Sequence, residues 1–172
     1  TAHDDVGDCV DCEAGKSSII GASSCVECDS GKHASAGGTA ACSVCLGGKY
    51  AASAGSVTCS DCLAGKYLAD SGSIATAHDA ENDCTVCQAG KYAPNAGSPL
   101  CTLCPEGTYN ADEGTDPTLH LACIACPPGL PSAMDRIVCG ICIKGTGRSV
   151  DEVGVAVGVG SGVAVAVGVG VG

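Results

Sequence analysis

Eight pairs of cysteines with the spacing C-x-x-C follow one another through most of the chain, and no other feature restricts the possible folds as strongly. The first cysteines of successive pairs are 16, 17, 17, 25, 17, 22 and 16 residues apart. A short internal period predicts an array of small units, each of which touches mainly its neighbours. The pairs are Cys9/Cys12, Cys25/Cys28, Cys42/Cys45, Cys59/Cys62, Cys84/Cys87, Cys101/Cys104, Cys123/Cys126 and Cys139/Cys142.

A glycine stands three residues after the second cysteine of every pair, at a position that favours a positive φ or a close approach of two backbones. Lys follows this glycine in five copies and Tyr comes next in several, as in Gly48-Lys49-Tyr50. Each repeat therefore predicts a short hairpin with a glycine turn between cysteines, with Tyr packed over a disulfide and Lys facing solvent. The expected fold is a set of small disulfide-rich repeats that form an elongated rod of short β-hairpins.

The composition explains why cysteines have to hold such a chain together. Its 172 residues include no Phe, no Trp, one Met and four Tyr, so its apolar side chains are mostly small. Burial at about 25 cal/mol per Å² cannot then offset the loss of chain entropy. Sixteen cysteines reach the density of secreted proteins in which disulfides replace a core. We therefore expect an extracellular or cell-surface protein.

The charge excludes several classes of partner. A net charge of -11 with eight basic residues lacks the clustered cations that bind nucleic acid or an anionic membrane. The polar, acidic start of the sequence fits a mature N-terminus better than a signal peptide. No N-glycosylation sequon is present, whereas the many Ser and Thr residues leave O-linked glycans open.

Copies such as Cys45-Leu-Gly-Gly-Lys-Tyr50 and Cys104-Pro-Glu-Gly-Thr-Tyr109, each followed by the next C-x-x-C pair, carry a family resemblance. The pattern over residues 9–145 resembles the ephrin-receptor-like and tumour-necrosis-factor-receptor-like cysteine-rich repeats, which also occur in algal and protist surface proteins. That family includes receptors, adhesins and surface-coat proteins, so the resemblance implies an architecture more than one function. The last two copies lack the aromatic residue and depart from the pattern.

The resemblance also implies a disulfide order, in which the cysteine before each glycine loop bonds the first cysteine of the following pair. Cys9 and Cys142 are then left over and are candidates for a bridge between subunits. Carried onto this sequence, the order gives Cys12–Cys25, Cys28–Cys42, Cys45–Cys59, Cys62–Cys84, Cys87–Cys101, Cys104–Cys123 and Cys126–Cys139.

A rival order closes two adjacent pairs into one module, for example Cys9–Cys25 with Cys12–Cys28, and uses all sixteen cysteines. Both long gaps, at residues 75–83 and 110–122, fall between modules in that order. Single loops tolerate insertions as well, however. The spacing leaves both orders open, and we favour the serial one.

No catalytic constellation is visible, and the metal-binding readings are weak. Continuous C-x-x-C pairs in an acidic, core-poor chain do not separate into the four-cysteine units of zinc modules, and a redox-active pair needs a thioredoxin-like context. Two insertions carry acids and histidines, for which calcium binding and solvated surface charge are both open. The sequence therefore predicts no enzyme, no catalytic residue and no required cofactor. The acids and histidines of the insertions are His78, Asp79, Glu81 and Asp83 in the first and Asp112, Glu113, Asp116 and His120 in the second.

The last twenty residues change character abruptly, with Val alternating with Gly or Ala and no charge. Strict alternation favours a β-strand or a hairpin that turns at Gly160-Ser161-Gly162, although a membrane span, elastin-like disorder and a removed lipid-anchor signal are the alternatives. An uncharged strand edge needs a partner, so we expect tails to join copies. The valines expected to form this contact are Val153, Val155, Val157, Val159, Val163, Val165, Val167, Val169 and Val171.

Three regions follow: an acidic segment at 1–8, the repeat array at 9–150 and the Val/Gly/Ala tail at 151–172. The predicted function is that of an extracellular structural protomer, which assembles into a fibre, an appendage or a surface coat. The alternative is a receptor-like or adhesive ectodomain that binds a protein or a glycan.

Overall fold

A computed structural model of the chain describes residues 10–140. This part consists of six two-stranded antiparallel hairpins, which confirms the predicted fold of small disulfide-rich repeats. Each strand has two residues, and no α-helix occurs among the described residues. The hairpins are β1 (Lys16–Ser17) with β2 (Val26–Glu27), β3 (Lys32–His33) with β4 (Ser43–Val44), β5 (Lys49–Tyr50) with β6 (Ser60–Asp61), β7 (Lys66–Tyr67) with β8 (Thr85–Val86), β9 (Lys91–Tyr92) with β10 (Thr102–Leu103), and β11 (Thr108–Tyr109) with β12 (Ile124–Ala125).

Seven disulfides run in series along the chain, so that each hairpin is closed by one of them. The Cα atoms of the two cysteines in each disulfide are 5.6 to 5.9 Å apart. We call the seven disulfide-closed loops units 1 to 7. They are closed by Cys12–Cys25, Cys28–Cys42, Cys45–Cys59, Cys62–Cys84, Cys87–Cys101, Cys104–Cys123 and Cys126–Cys139. The closed-module order is absent from this part of the chain.

The glycine after each cysteine pair sets the turn into its hairpin, as unit 3 illustrates. Gly48 has a φ of 78°, which a side chain would disfavour. The Lys49 amide donates to the Leu46 carbonyl and closes the turn, while the Gly48 carbonyl accepts from the Cys62 amide across the hairpin. Behind the turn, Lys49 pairs with Asp61 in the β5–β6 register.

The same glycines tie each unit to the next one. The Gly48 amide donates to the Leu68 carbonyl of unit 4 at 2.9 Å, and the Gly65 amide donates to the Ala93 carbonyl of unit 5 at 2.7 Å. Equivalent bonds start from Gly15, Gly31 and Gly90. The repeat therefore continues through backbone hydrogen bonds as well as through the covalent chain.

Contacts also reach the unit after next, which the sequence did not lead us to expect. A Cβ atom on Gly48, in unit 3, would overlap the carbonyl oxygen of Gly97, in unit 5. A Cβ atom on Gly65 would likewise overlap the carbonyl oxygen of Pro117, two units ahead. The prediction that each unit touches mainly its neighbours is thus incomplete, because units also contact the unit two positions ahead. Only glycine leaves room for that contact at these positions.

The core is a row of small clusters built from the disulfides. The second cysteine of most pairs is buried, and so is the residue three positions after the turn glycine. One cluster joins Cys62, Cys84 and Leu68, and Tyr50 of the preceding unit packs against it. Tyrosine over a disulfide is thus observed here, with the ring on the disulfide of the next unit. The buried residues after the turns are Ala34, Ala51, Leu68, Ala93 and Asn110.

Several expectations concern residues outside the described range of 10–140. Cys9, Cys142 and every valine of the tail from Val153 to Val171 fall there, as do the segments 1–8 and 151–172. Among the described residues, no helix has the length and apolar character needed to cross a membrane.

Candidate functional site

The two insertions fold into the same small structure, which occurs in unit 4 and again in unit 6. Each has an aspartate, a glycine two residues later, a Ser or Thr after that, and a histidine eight residues after the aspartate. We call the two stretches, residues 70–78 and 112–120, the Asp–His cassettes. A short 3-10 helix leads to the histidine in both, Ala75–Ala77 in the first and Pro117–His120 in the second.

In the first cassette, the Asp70 carboxylate organises the loop around itself. Its Oδ2 atom accepts from the backbone amides of Gly72, Ser73 and Ile74 at 3.1, 2.9 and 3.2 Å. The Ser73 hydroxyl donates to Oδ1. These donors favour the charged carboxylate. The Ser73 hydroxyl, followed by His78, holds the pKa of Asp70 well below its usual value.

The second cassette repeats this network with different neighbours. Oδ2 of Asp112 accepts from the amides of Gly114, Thr115 and Asp116 at 3.0, 2.9 and 3.3 Å. The Thr115 hydroxyl donates to Oδ1 at 2.7 Å. The pKa of Asp112 is also held well below its usual value, mainly by the Thr115 hydroxyl and against a smaller opposing effect of burial, with His120 contributing as well. Two loops of different sequence thus use one arrangement.

The histidine of each cassette is wholly buried and bonds through both ring nitrogens. His78 has its Nε2 atom 2.9 Å from Oδ2 of Asp70 and its Nδ1 atom 2.6 Å from the Lys49 carbonyl oxygen in unit 3. His120 has its Nε2 atom 2.8 Å from Oδ2 of Asp112 and its Nδ1 atom 2.8 Å from the Lys91 carbonyl oxygen in unit 5. Each ring therefore links its own loop to the backbone of the preceding unit.

The main-chain carbonyl of each histidine supplies a further bond between units. The Ala51 amide donates to the His78 carbonyl at 2.8 Å, and the Ala93 amide donates to the His120 carbonyl at 2.9 Å. In units 3 and 5, which have no insertion, a serine carbonyl accepts the same bond, as from the Ala34 amide to Ser56. The insertion thus keeps the junction of the repeat and adds the imidazole to it.

Asn110 strengthens the second cassette from inside. It is 4% exposed and occupies the position that is Ala or Leu in units 2 to 5. Its Nδ2 atom donates to the Leu119 carbonyl at 2.9 Å, and its Oδ1 atom accepts from the Asp112 amide at 3.0 Å. A buried amide with these partners fixes both ends of the cassette.

The buried rings correct the expectation of solvated charge for His78 and His120, because neither is exposed. Their nitrogens are already bonded, and the Ser73 and Thr115 hydroxyls donate to the same carboxylates. A general base needs an accessible nitrogen next to the proton that it removes. The cassettes are thus suited to hold units together rather than to catalyse a reaction.

The remaining acids of the insertions serve the loops separately. Asp83 accepts from the Ala80 amide at 2.9 Å, Asp116 accepts from the Thr118 amide at 2.8 Å, and Glu81 lies 3.9 Å from the Lys66 ammonium. Within residues 10–140, no three of the acids and histidines in the insertions have ligand atoms close enough together for one metal ion. The calcium hypothesis gains no support from this arrangement.

One group of metal-ligand residue types does lie close together, formed by His33, Cys45 and Cys59. The two cysteines are bonded to each other, and a disulfide sulfur is not the thiolate that binds a metal ion. The Nδ1 atom of His33 lies 3.3 Å from Sγ of Cys59. His33 thus occupies the place on the next disulfide that Tyr50 occupies one unit later.

The sequence singled out both histidines and Asp112, but it did not single out Asp70. A sequence signal was present, because the motif D-x-G-[ST]-x-x-x-x-H occurs once between Cys62 and Cys84, once between Cys104 and Cys123, and nowhere else in the chain. The eight residues from aspartate to histidine form a loop and a short 3-10 helix, so no helix or strand periodicity relates the two positions. Only the shared motif of the two insertions could have pointed to Asp70.

Comparison with known sequences agrees with this architecture. The family model described as tyrosine-protein kinase ephrin type A/B receptor-like matches residues 31–78 and 75–118, which together make up about half of the chain. The matched residues hold the hairpins of units 2 to 5 and most of both cassettes. None of the curated proteins matches the chain. Seven serial disulfides together with this match are features of an extracellular or secreted protein. The chain therefore belongs to the ephrin-receptor-like family of cysteine-rich repeat proteins.

Proposed function

We propose that the protein is an extracellular structural protomer, in which the disulfide-closed units form a stiff array and the Val/Gly tail joins copies into a fibre, an appendage or a surface coat. The observation that carries this proposal is the pair of contacts made by the turn glycines. Each of Gly15, Gly31, Gly48, Gly65 and Gly90 bonds to the next unit and abuts the unit after it. An array tied in this way resists bending at every unit.

The polar side chains of the array support the same proposal. Asp70, Asp112, His78 and His120 are used to close loops and junctions. Lys49 pairs with Asp61 across its own hairpin. Side chains that satisfy one another internally contribute to rigidity and leave little for catalysis. The proposal therefore assigns the protein no enzymatic activity and no required cofactor.

The tail supplies the self-association in this proposal. Residues 153–172 alternate Val with Gly or Ala and carry no charge, which suits strand pairing between copies. A bridge between Cys9 of one copy and Cys142 of another would add a covalent link. The acidity of the chain, at a net charge of -11, disfavours nucleic acid and anionic membranes as alternative partners.

A second candidate is a receptor-like or adhesive ectodomain, and one observation favours it. Ile19 and Ile20 stand at a turn in unit 1 and are 74% and 103% exposed. Apolar side chains exposed together are a common feature of contact surfaces. A ligand-binding ectodomain should be monomeric when isolated, whereas a structural protomer should be polymeric.

The experiment compares the full chain with a chain that ends at Glu152, using negative-stain electron microscopy and analytical ultracentrifugation under non-reducing conditions. We expect polymers from the full chain and disulfide-bonded monomers from the shortened chain. A full chain that stays monomeric would favour the ectodomain, and a shortened chain that still polymerises would exclude the tail as the joint.

A matched pair of substitutions tests strand pairing of the tail without shortening the chain. Val157→Asp places a charge on the predicted valine face, and we expect it to abolish the polymers. Ser161→Asp places the same charge at the predicted turn, and we expect the polymers to persist. Equal loss in both variants would indicate one continuous strand in place of a hairpin.

A further inference from the structure

The rings of His78 and His120 face oxygen acceptors on both sides. For His78, the Lys49 carbonyl oxygen has no hydrogen to donate, so Nδ1 has to carry the proton of that bond. On the other side, Asp70 already accepts from backbone amides and from the Ser73 hydroxyl, which keeps it in the charged, acceptor-only form. Nε2 therefore has to carry a proton too.

The second cassette repeats this geometry with an independent sequence. Nδ1 of His120 points to the Lys91 carbonyl oxygen, and Nε2 points to the Asp112 carboxylate. The Nδ2 atom of Asn110 lies 3.1 Å from the same Nδ1, but its two hydrogens have the Leu119 and Lys91 carbonyl oxygens as acceptors, at 2.9 and 3.5 Å. Both rings thus meet the condition for a doubly protonated imidazole.

We propose that His78 and His120 are imidazolium clamps, which hold unit 3 to unit 4 and unit 5 to unit 6 while both ring nitrogens are protonated and loosen these junctions when one proton is lost. Loss of the Nδ1 proton would leave the ring nitrogen facing a carbonyl oxygen. Loss of the Nε2 proton would leave it facing a carboxylate. Either loss replaces a charge-assisted hydrogen bond by the repulsion of two acceptors.

Each ring faces one carboxylate and one backbone carbonyl from the elements packed against it. The cassette of His78 contributes Asp70, and strand β5 contributes the Lys49 carbonyl while the Lys49 ammonium is paired with Asp61 across the hairpin. The cassette of His120 contributes Asp112, and strand β9 contributes the Lys91 carbonyl. Asn110, which also packs against this ring, is neutral.

The direction of the pH effect follows from the protonation state that the histidine ring has in the fold. The clamp stabilises the junction as long as the ring is protonated, so its contribution is complete in mild acid. It is lost when a rise in pH removes a proton from either ring nitrogen. The junction of units 4 and 5 has neither a cassette nor a histidine bonded across it, and it should not change over this range.

Amide hydrogen exchange of the full chain, followed by NMR from pH 5.5 to 8.5, tests the proposal. The Ala51 and Ala93 amides donate to the carbonyls of His78 and His120, and they report on the two clamped junctions. The Leu68 amide donates to the Ser98 carbonyl at the equivalent place and is the internal control. Protection factors are corrected for the intrinsic dependence of exchange on pH.

We expect protection of Ala51 and Ala93 to fall about tenfold or more across this range, as the loss of a charge-assisted hydrogen bond predicts, and protection of Leu68 to stay constant. Parallel behaviour of the Ala51, Ala93 and Leu68 amides would overturn the proposal. His78→Gln adds a matched test, because it should remove the pH dependence at Ala51 and leave that at Ala93.

Nitrogen-15 labelling of the histidines counts the ring protons directly and needs no variant. At pH 6, we expect both nitrogens of His78 and of His120 to give the chemical shifts of protonated ring nitrogens. A ring nitrogen without a proton in either residue at that pH would overturn the proposal.

Discussion

The α-carbon of Gly48 abuts the carbonyl oxygen of Gly97, two units further along the chain, so closely that a Cβ atom on Gly48 would overlap this oxygen. The Gly48 amide bonds the unit between them, through the Leu68 carbonyl. One glycine therefore joins three consecutive units. The array depends on the absence of side chains at these positions as much as on its cysteines.

Replacing Gly48 by Ala tests this relationship. Alanine at position 48 would have to adopt a φ of 78°, and its Cβ atom would overlap the Gly97 carbonyl oxygen. We therefore expect the opening free energy of unit 3 to fall by at least about 3 kcal/mol. Hydrogen exchange of the Cys62 amide, which donates to the Gly48 carbonyl, measures this opening.

Gly21→Ala is the matched control for that variant. Gly21 has a φ of 81°, and among the described residues nothing lies within 4 Å of a Cβ atom built on it. We expect a cost of about 1 kcal/mol from the backbone alone, read at the Cys28 amide. Equal costs at Gly21 and Gly48 would show that the contact with the unit after next contributes nothing.

Asn110→Ala tests the buried amide of the second cassette. The alanine fits, because Ala51 and Ala93 occupy the same position in units 3 and 5. The Leu119 carbonyl and the Asp112 amide lose their partner, so we expect unit 6 to lose about 1 to 3 kcal/mol. Hydrogen exchange of the Gly90 amide, which donates to the Asn110 carbonyl, reports the change. An unchanged exchange rate would mean that the two side-chain hydrogen bonds of Asn110 make no net contribution to the stability of unit 6.

Acid should weaken the array through Asp70 and Asp112. Hydrogen bonds hold the pKa of both carboxyls below the ordinary value of 3.8, so their contribution is complete above about pH 4 and is lost as the pH falls below it. We expect the melting temperature of the wild type to fall between pH 4 and pH 2, measured by calorimetry. The variant Asp70→Asn/Asp112→Asn should melt lower at pH 5 and show a smaller fall.

Glu113→Gln is the control for that series, since Glu113 is exposed and adjacent to Asp112 in sequence. Its profile should follow the wild type. A double variant whose melting temperature falls as steeply as that of the wild type would place the acid sensitivity elsewhere in the chain.

The hairpins and their family could be predicted from the sequence, because the cysteine spacing and the turn glycines act within a single unit. The contact from Gly48 to Gly97 could not, since a repeat period says which residues are alike and not which units meet. The Asp–His cassettes were visible as acids and histidines. Their burial and the role of Asp70 were not, because the eight-residue offset depends on how the loop folds over the preceding strand.

Peptide mapping without reduction tests the serial order of the disulfides, on which the whole array depends. Trypsin cuts between all successive cysteine pairs except Cys101/Cys104 and Cys123/Cys126, which stay together on the peptide 92–136; the cuts follow Lys16, Lys32, Lys49, Lys66, Lys91 and Arg136, and a further cut follows Lys144. The chain is first denatured in urea at low pH, with free thiols blocked. The serial bonds from Cys12–Cys25 to Cys126–Cys139 then hold every fragment of residues 1–144 in one linked species.

That single species, which falls to its component peptides only after reduction, is the predicted result. A digest that separates before reduction into three independent groups of peptides, from residues 1–32, 33–66 and 67–144, would contradict it. Such groups would show closed modules and would remove the continuous covalent ladder from the protein.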